Sequence, residues 1–158
     1  MPLTPFHFTR QAVGSFSVAL ALGLAGAAAP ASAQQHVSIA GENVNLRAAP
    51  SAGAQVLWQL GYGYPLKVLQ RKGSWLQVVD FENDKGWVAR QLTAGTPHVI
   101  VKSPTANLRA GPDTKSRVLG RAAYGDVFQV LDKRTTWIQV QDEGDRKGWI
   151  ARNLLWGW

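Results

Sequence analysis

The 158-residue sequence contains no cysteine. No disulfide can therefore staple it, and no thiolate can serve as nucleophile, zinc ligand or lipid-attachment point. Histidine is nearly as scarce, with only His36 and His98 beyond residue 33. A serine or threonine nucleophile needs a positioned base, and one histidine at an edge and one in a linker do not supply it. Paired carboxylates could do acid and base work, and the candidates are Asp80 with Glu82 or Asp84, and Asp142 with Glu143 or Asp145. They fall in short polar loops, where acids are ordinarily solvated turn residues, and their spacing matches neither a zinc site nor a calcium loop. No catalytic residue, metal or cofactor is expected.

Acidic residues are absent from the first 33 positions, which carry Arg10, a weakly apolar run over 12–29, and then Ala31-Ser32-Ala33. That order describes a secretory signal peptide, residues 1–33, cut after Ala33. An uncleaved anchor is the alternative, because about 18 residues can just span a bilayer; the Ala and Gly content, Ser15, Ser17 and Pro30 speak against it. The remainder, from Gln34, is expected to be exported, periplasmic and without stable membrane insertion.

What the sequence does have is a repeat. Asn45-Leu46-Arg47-Ala48 returns 62 residues later as Asn107-Leu108-Arg109-Ala110, and Lys85-Gly86-Trp87 returns as Lys147-Gly148-Trp149. Aligned without a gap, 43–92 and 105–154 are identical at 21 of 50 positions. Two tandem modules are expected, at 34–93 and 99–158, joined by a linker at 94–98. So short a linker implies that the modules touch and share a hydrophobic seam.

Neither copy offers ten residues at helical spacing, and each reads as short strands. Leu66 to Gln70 and Trp75 to Val79 flank a Gly-containing polar turn, which is a hairpin signature. A further strand begins at Val56, and Gly86-Trp87-Val88-Ala89-Arg90 closes the copy. About five short strands per copy suit an all-β fold of two tandem small barrels. A domain of about 60 residues buries only about 60% of the surface its unfolded chain exposes, so the seven tryptophans are read first as core.

These strings, in order and twice, resemble the bacterial SH3-like domain family: Asn-Leu-Arg-Ala-x-Pro at the entrance, Val-Leu, Tyr-Gly, a Trp after the hairpin turn, and Gly-Trp-Val/Ile-Ala-Arg-x-Leu at the exit. The resemblance implies two SH3-like β-barrels in an exported, envelope-associated protein that binds rather than catalyses. Members often accompany wall hydrolases as targeting modules. No such enzyme domain is expected here, and the expectation is a binding protein for peptidoglycan or a wall-associated protein, or else a protein scaffold. The loop Leu-Arg-Ala-Ala-Pro lacks the acidic, Tyr-rich character that eukaryotic SH3 domains use for Pro-rich peptides.

Candidate ligand-binding residues are the aromatics near the loops. Tyr62, Tyr64 and Tyr124 could flank a groove with Trp75, Trp87, Trp137 and Trp149 as its floor, each tryptophan having plain packing as its alternative. Arg47 and Arg109 either tie a loop carbonyl or clamp a ligand carboxylate. Charge favours an anionic envelope partner over nucleic acid in an exported protein, with net +2 on 34–95 and +4 on 96–158. Two breaks in the repeat stand out: Trp58 corresponds to Gly120, and Trp156-Gly157-Trp158 follows Leu155 where the first copy has Ala94-Gly95-Thr96. An exposed Trp pair would be an unusual apolar patch, so it is expected to pack on the second barrel or into the seam, with Trp58 as a partner.

Overall fold

The computed structural model describes residues 35–158; the expected signal peptide lies outside the described residues. Two seven-stranded antiparallel sheets follow each other along the chain. The first contains β1 (His36–Ile39), β2 (Val44–Arg47), β3 (Val56–Leu60), β4 (Pro65–Lys72), β5 (Trp75–Val79), β6 (Lys85–Ala89) and β7 (Thr93–Ala94), in the order β3-β2-β6-β5-β4-β1-β7. The second repeats that order with β8 (His98–Val101), β9 (Thr105–Arg109), β10 (Val118–Ala123), β11 (Val127–Lys133), β12 (Trp137–Gln141), β13 (Lys147–Ala151) and β14 (Leu155–Gly157). The strands placed from the sequence are β3 to β6 and, in the second copy, β10 to β13; β2 and β9 hold the Asn-Leu-Arg string, which reads from the sequence as part of a loop. The sequence reading had no counterpart for the edge pairs β1 with β7 and β8 with β14.

Alternation builds each core. Leu76 and Val78 of β5 point inward between half-buried neighbours, as do Ile138 and Val140 of β12. One cluster joins Val37, Ile39, Leu46, Leu60, Leu66 and Val88, drawn from strands at both ends of the first sheet. Laid flat at about 4.8 Å per strand, β3 and β1 would stand too far apart to share it, so the sheet must roll on itself. The second sheet wraps a matching cluster around Leu108, Phe128, Val140 and Ile150. Gly86 and Gly148 permit this closeness, since a Cβ at either would lie within 2.6 Å of the Leu46 or Leu108 side chain beneath. The register slips between Val68 and Gln70 and again between Val130 and Asp132. These bulges turn Leu69 and Leu131 out to solvent.

The two sheets meet where β1 and β4 of the first face β8 and β14 of the second. In β8 all four residues are buried: Val99 and Val101 join their own core, whereas His98 and Ile100 lie outside it. In β1, Val37 and Ile39 face the core and Ser38 is buried outside it. The connection shrinks to residues 95–97, because Ala94 pairs with Ser38 and His98 begins β8. The Thr96 carbonyl accepts hydrogen bonds from Ser38 Oγ (2.8 Å) and from His98 Nδ1 (3.0 Å), which fixes the turn of the chain between sheets.

Trp156-Gly157-Trp158 closes the seam. β14 pairs with β8, Trp158 Nε1 donates to Ser38 Oγ (3.2 Å), and the rings of Trp156 and Trp158 lie 5.5 and 6.2 Å from His36. Gly157 adopts φ +126, and a Cβ there would stand 2.7 Å from the His98 carbonyl and 3.2 Å from Pro65. Only glycine satisfies both demands. The expected partner Trp58 is elsewhere, 55% exposed on edge strand β3. β3 belongs to the far edge of its sheet, and the seam forms at the β1 edge.

Deleting residues 156–158 removes two half-buried indoles and a hydrogen bond. The expected loss is on the order of 3 kcal/mol, with the thermal midpoint falling by about 10 °C. Circular dichroism melts of the deletion beside wild type check this, and an unchanged midpoint would mark the segment as an exposed docking tail.

Candidate functional site

Repeated side chains first do repeated structural work. Arg47 Nη1 donates to the Ala54 carbonyl (2.8 Å) and Arg109 Nη1 to the Ser116 carbonyl (2.9 Å), each tying the loop that follows its strand. Opposite them in register lie Trp87 and Trp149, both buried on the face away from the core. Arg134 places its guanidinium 4.7 Å from the Trp149 ring centroid, a cation-π contact. Asp80 Oδ1 accepts the amide hydrogens of Glu82 and Asp84, and Asp142 Oδ1 those of Gly144 and Arg146. These bonds shape the polar loops before β6 and β13. The carboxylates of Asp80, Glu82 and Asp84 come within 4.8 Å of one another.

The candidate aromatics separate into different surfaces. Trp75 and Arg47 line a groove of about 420 Å³ on the first module, with Asn45, Ala52 and Gln91. Trp137 is half-buried at the matching place in the second module. Tyr62, Tyr64 and Tyr124 instead stand at the seam. Tyr64 is half-buried and donates to Asp80 Oδ2 (3.3 Å); burial, and then the Asp80 charge, push its phenol well above the usual range. Tyr124 crosses from the second module to donate to Glu82, and its ring lies 5.2 Å from Phe81. The hydrogen bond to Glu82 raises its phenol pKa.

Tyr62 lines a groove of about 510 Å³ between the modules. Glu42 and Gly61 contribute the first-module wall, and Arg121, Asp126, Phe128 and Arg146 belong to the other. A recess of about 70 Å³ reaches from Tyr62 to His98, Gln129 and Gln141. The Tyr62 ring meets His98 edge-on at 5.6 Å, and Gly63, at φ +77, lets the imidazole close in: a Cβ there would lie 2.8 Å from His98 Cδ2. Burial pushes the His98 pKa down, and the bond to Thr96 offsets this only in part. The imidazole is therefore neutral with its proton on Nδ1, since the Thr96 carbonyl can only accept. In Asp142, partial burial works to raise the pKa, but the amide and guanidinium of Arg146 outweigh it and hold the carboxyl below its usual range.

Glu42, Arg121, Arg146 and His98 were not among the sequence candidates. His36 and His98 are in fact equivalent at the 62-residue offset, a recurrence that an alignment beginning at residue 43 leaves out. The run Val99-Ile100-Val101 was a further signal, because a strand apolar at successive positions is covered on both faces.

Residues 40–95 match a family model described as the bacterial SH3 domain, and residues 104–155 match a second model of the same description. YrvJ of Bacillus subtilis, named as an N-acetylmuramoyl-L-alanine amidase, is 25% identical over 134 residues, covering 78% of this chain and 26% of its own. LytH of Staphylococcus epidermidis, named as a cell wall amidase, is 39% identical over 53 residues, 33% of this chain and 18% of its own. The chain thus spans about a quarter or less of the length of these relatives. A solved NlpC/P60 family protein from Bacillus cereus aligns over 77% of this chain and 56% of its own, at 18% identity and a TM-score of 0.37.

The buried neutral His98 makes the fold pH-sensitive in a defined direction. Its folded pKa lies below the unfolded value of 6.5, so the unfolded chain takes up the proton first as pH falls. The stabilisation is intact above pH 6.5 and is lost below it, by at most about 1.4 kcal/mol per pH unit for one proton. Thermal midpoints between pH 7.5 and 5 should show this slope in wild type and a shallower one in His98→Gln. Equal slopes would exclude His98 as its source.

Proposed function

Because the chain belongs to the bacterial SH3 domain family, in two tandem copies, we propose that it is an exported, non-catalytic binding protein of the bacterial cell envelope that recognises peptidoglycan. The observation that carries this reading is the groove between the modules, where a half-exposed tyrosine ring lies among groups of both charges. Concave sites that combine an aromatic surface with a few placed polar groups are the usual form of a ligand site. Two amidase-named relatives support the choice of peptidoglycan, since the segments shared with them are these SH3 modules and cover only a small part of each relative. Binding rather than cleavage is supported by the engagement of His98 in the seam and of Asp80 and Asp142 in their turns.

A second reading, a protein scaffold or accessory subunit of an envelope complex, is favoured by one observation. Val56, Leu57 and Trp58 are exposed in succession on edge strand β3, and an open edge with apolar side chains can accept another chain.

Co-sedimentation with purified peptidoglycan at low salt separates the two. Wild type is expected to pellet, Tyr62→Ala to bind about tenfold more weakly, as for an anchor at the centre of a site, and Trp58→Ser to pellet like wild type. Failure of wild type to pellet would reject the peptidoglycan reading and leave the scaffold.

A further inference from the structure

The second module carries a cationic feature that the first cannot form. Trp58 of β3 corresponds to Gly120 of β10, and Asp84 corresponds to Arg146. At Gly120 the room a side chain would take is filled by Arg146, for a Cβ there would lie 3.1 Å from Nη1 and 3.6 Å from Cζ. The guanidinium is held in place by Asp142, whose Oδ2 is 2.9 Å from both Nε and Nη2. One edge of the fork is thus committed to Asp142, and the Nη1 edge lies over Gly120. Arg121, the next residue along β10, lines the same groove and has no ion-pair partner among the described residues.

The groove is not simply basic. Glu42 on the first-module wall, with Asp126, Asp142 and Glu143 on the second, outnumber the two arginines. Asp142 is occupied by Arg146, and Asp126 by the amide of Ala123 (2.8 Å). That leaves Arg121 and the free edge of Arg146 for an anion, and Glu42 and Glu143 for a cation. A polyanion such as a phosphate polymer would meet four carboxylates, and an uncharged glycan would leave the charges unused. A ligand carrying both signs satisfies the wall.

From this arrangement we infer that the groove between the modules recognises a short peptide bearing both a carboxylate and a free amino group, with Arg121 and Arg146 receiving the carboxylate and Glu42 with Glu143 the ammonium. Tyr62 lines the same groove and offers an apolar platform. The inference rests on the peptidoglycan reading and deepens it, assigning recognition to the peptide portion of the polymer rather than to its sugars. Arginine suits the anionic end because its planar fork matches a carboxylate.

The experiment uses four peptidoglycan preparations: untreated, amine-acetylated, carboxyl-amidated, and glycan strands freed of peptide. Wild type should bind the acetylated and amidated polymers about tenfold more weakly than the untreated one, as expected for a lost charge-assisted contact, and should not pellet with bare glycan. Arg121→Gln should weaken binding to untreated polymer and reduce the effect of carboxyl amidation, while leaving that of acetylation. Glu42→Gln should do the reverse. Among the described residues neither side chain makes an ion pair, and an unchanged melting profile verifies that both variants are folded. If wild type pellets equally with all four preparations, or if both variants keep both sensitivities, the inference fails while the peptidoglycan reading stands. If wild type pellets with none, both fail.

Discussion

Everything distinctive in this molecule depends on covering the outer face of one strand. β8 packs Val99 and Val101 into its own core and must also bury His98 and Ile100 on the opposite side. An isolated second module would leave that face in water, with the isoleucine exposed and the imidazole returned to solvent. The first module supplies the cover with β1, Gly63 and Pro65, and Trp156 and Trp158 close it from the other side. Buried area of this kind stabilises by roughly 25 cal/mol per Å². Domains that lack disulfides and bury modest cores of their own have reason to use it.

The seam gives the function its geometry. Were the modules joined by a free linker, each could bind separately, and the gain would be one of effective concentration alone. A connection of residues 95–97, bonded through the Thr96 carbonyl to both modules, instead holds Tyr62 and Glu42 against Arg121 and Arg146. The groove between the two copies is thereby lined by residues of both modules. The repeat explains how it arose in physical terms: the same backbone was used twice, and the exchanges of Trp58 for Gly120 and Asp84 for Arg146 made one copy cationic where the other is not.

Much of this was legible in the sequence, for identifiable reasons. Alternating apolar residues in β5 and β12, the hairpin glycine at residue 73 and the repeated Gly-Trp strand fixed the strands, because period-two burial is a local property. The loop tie that Arg47 and Arg109 make was one of the two readings their surroundings allowed, and the Trp pair had to be covered by something. Trp58 was misplaced as its partner because strand order, and so which edge meets the seam, is not a local property. The inter-module groove was invisible for the same reason, since Glu42, Tyr62, Arg121 and Arg146 are far apart in the chain and only the docking of two sheets unites them. Tyr62 was found as a candidate, but the tryptophans set beside it line a different groove or pack.

Joined through the seam, the two modules should unfold as one cooperative body. Scanning calorimetry of the purified protein tests it most directly, by comparing the calorimetric enthalpy with the van't Hoff enthalpy of the same transition. A single transition with the two enthalpies equal is predicted. Two resolved transitions, or a van't Hoff enthalpy near half the calorimetric value, would mean that the modules melt independently and that the seam does not bind them into one unit.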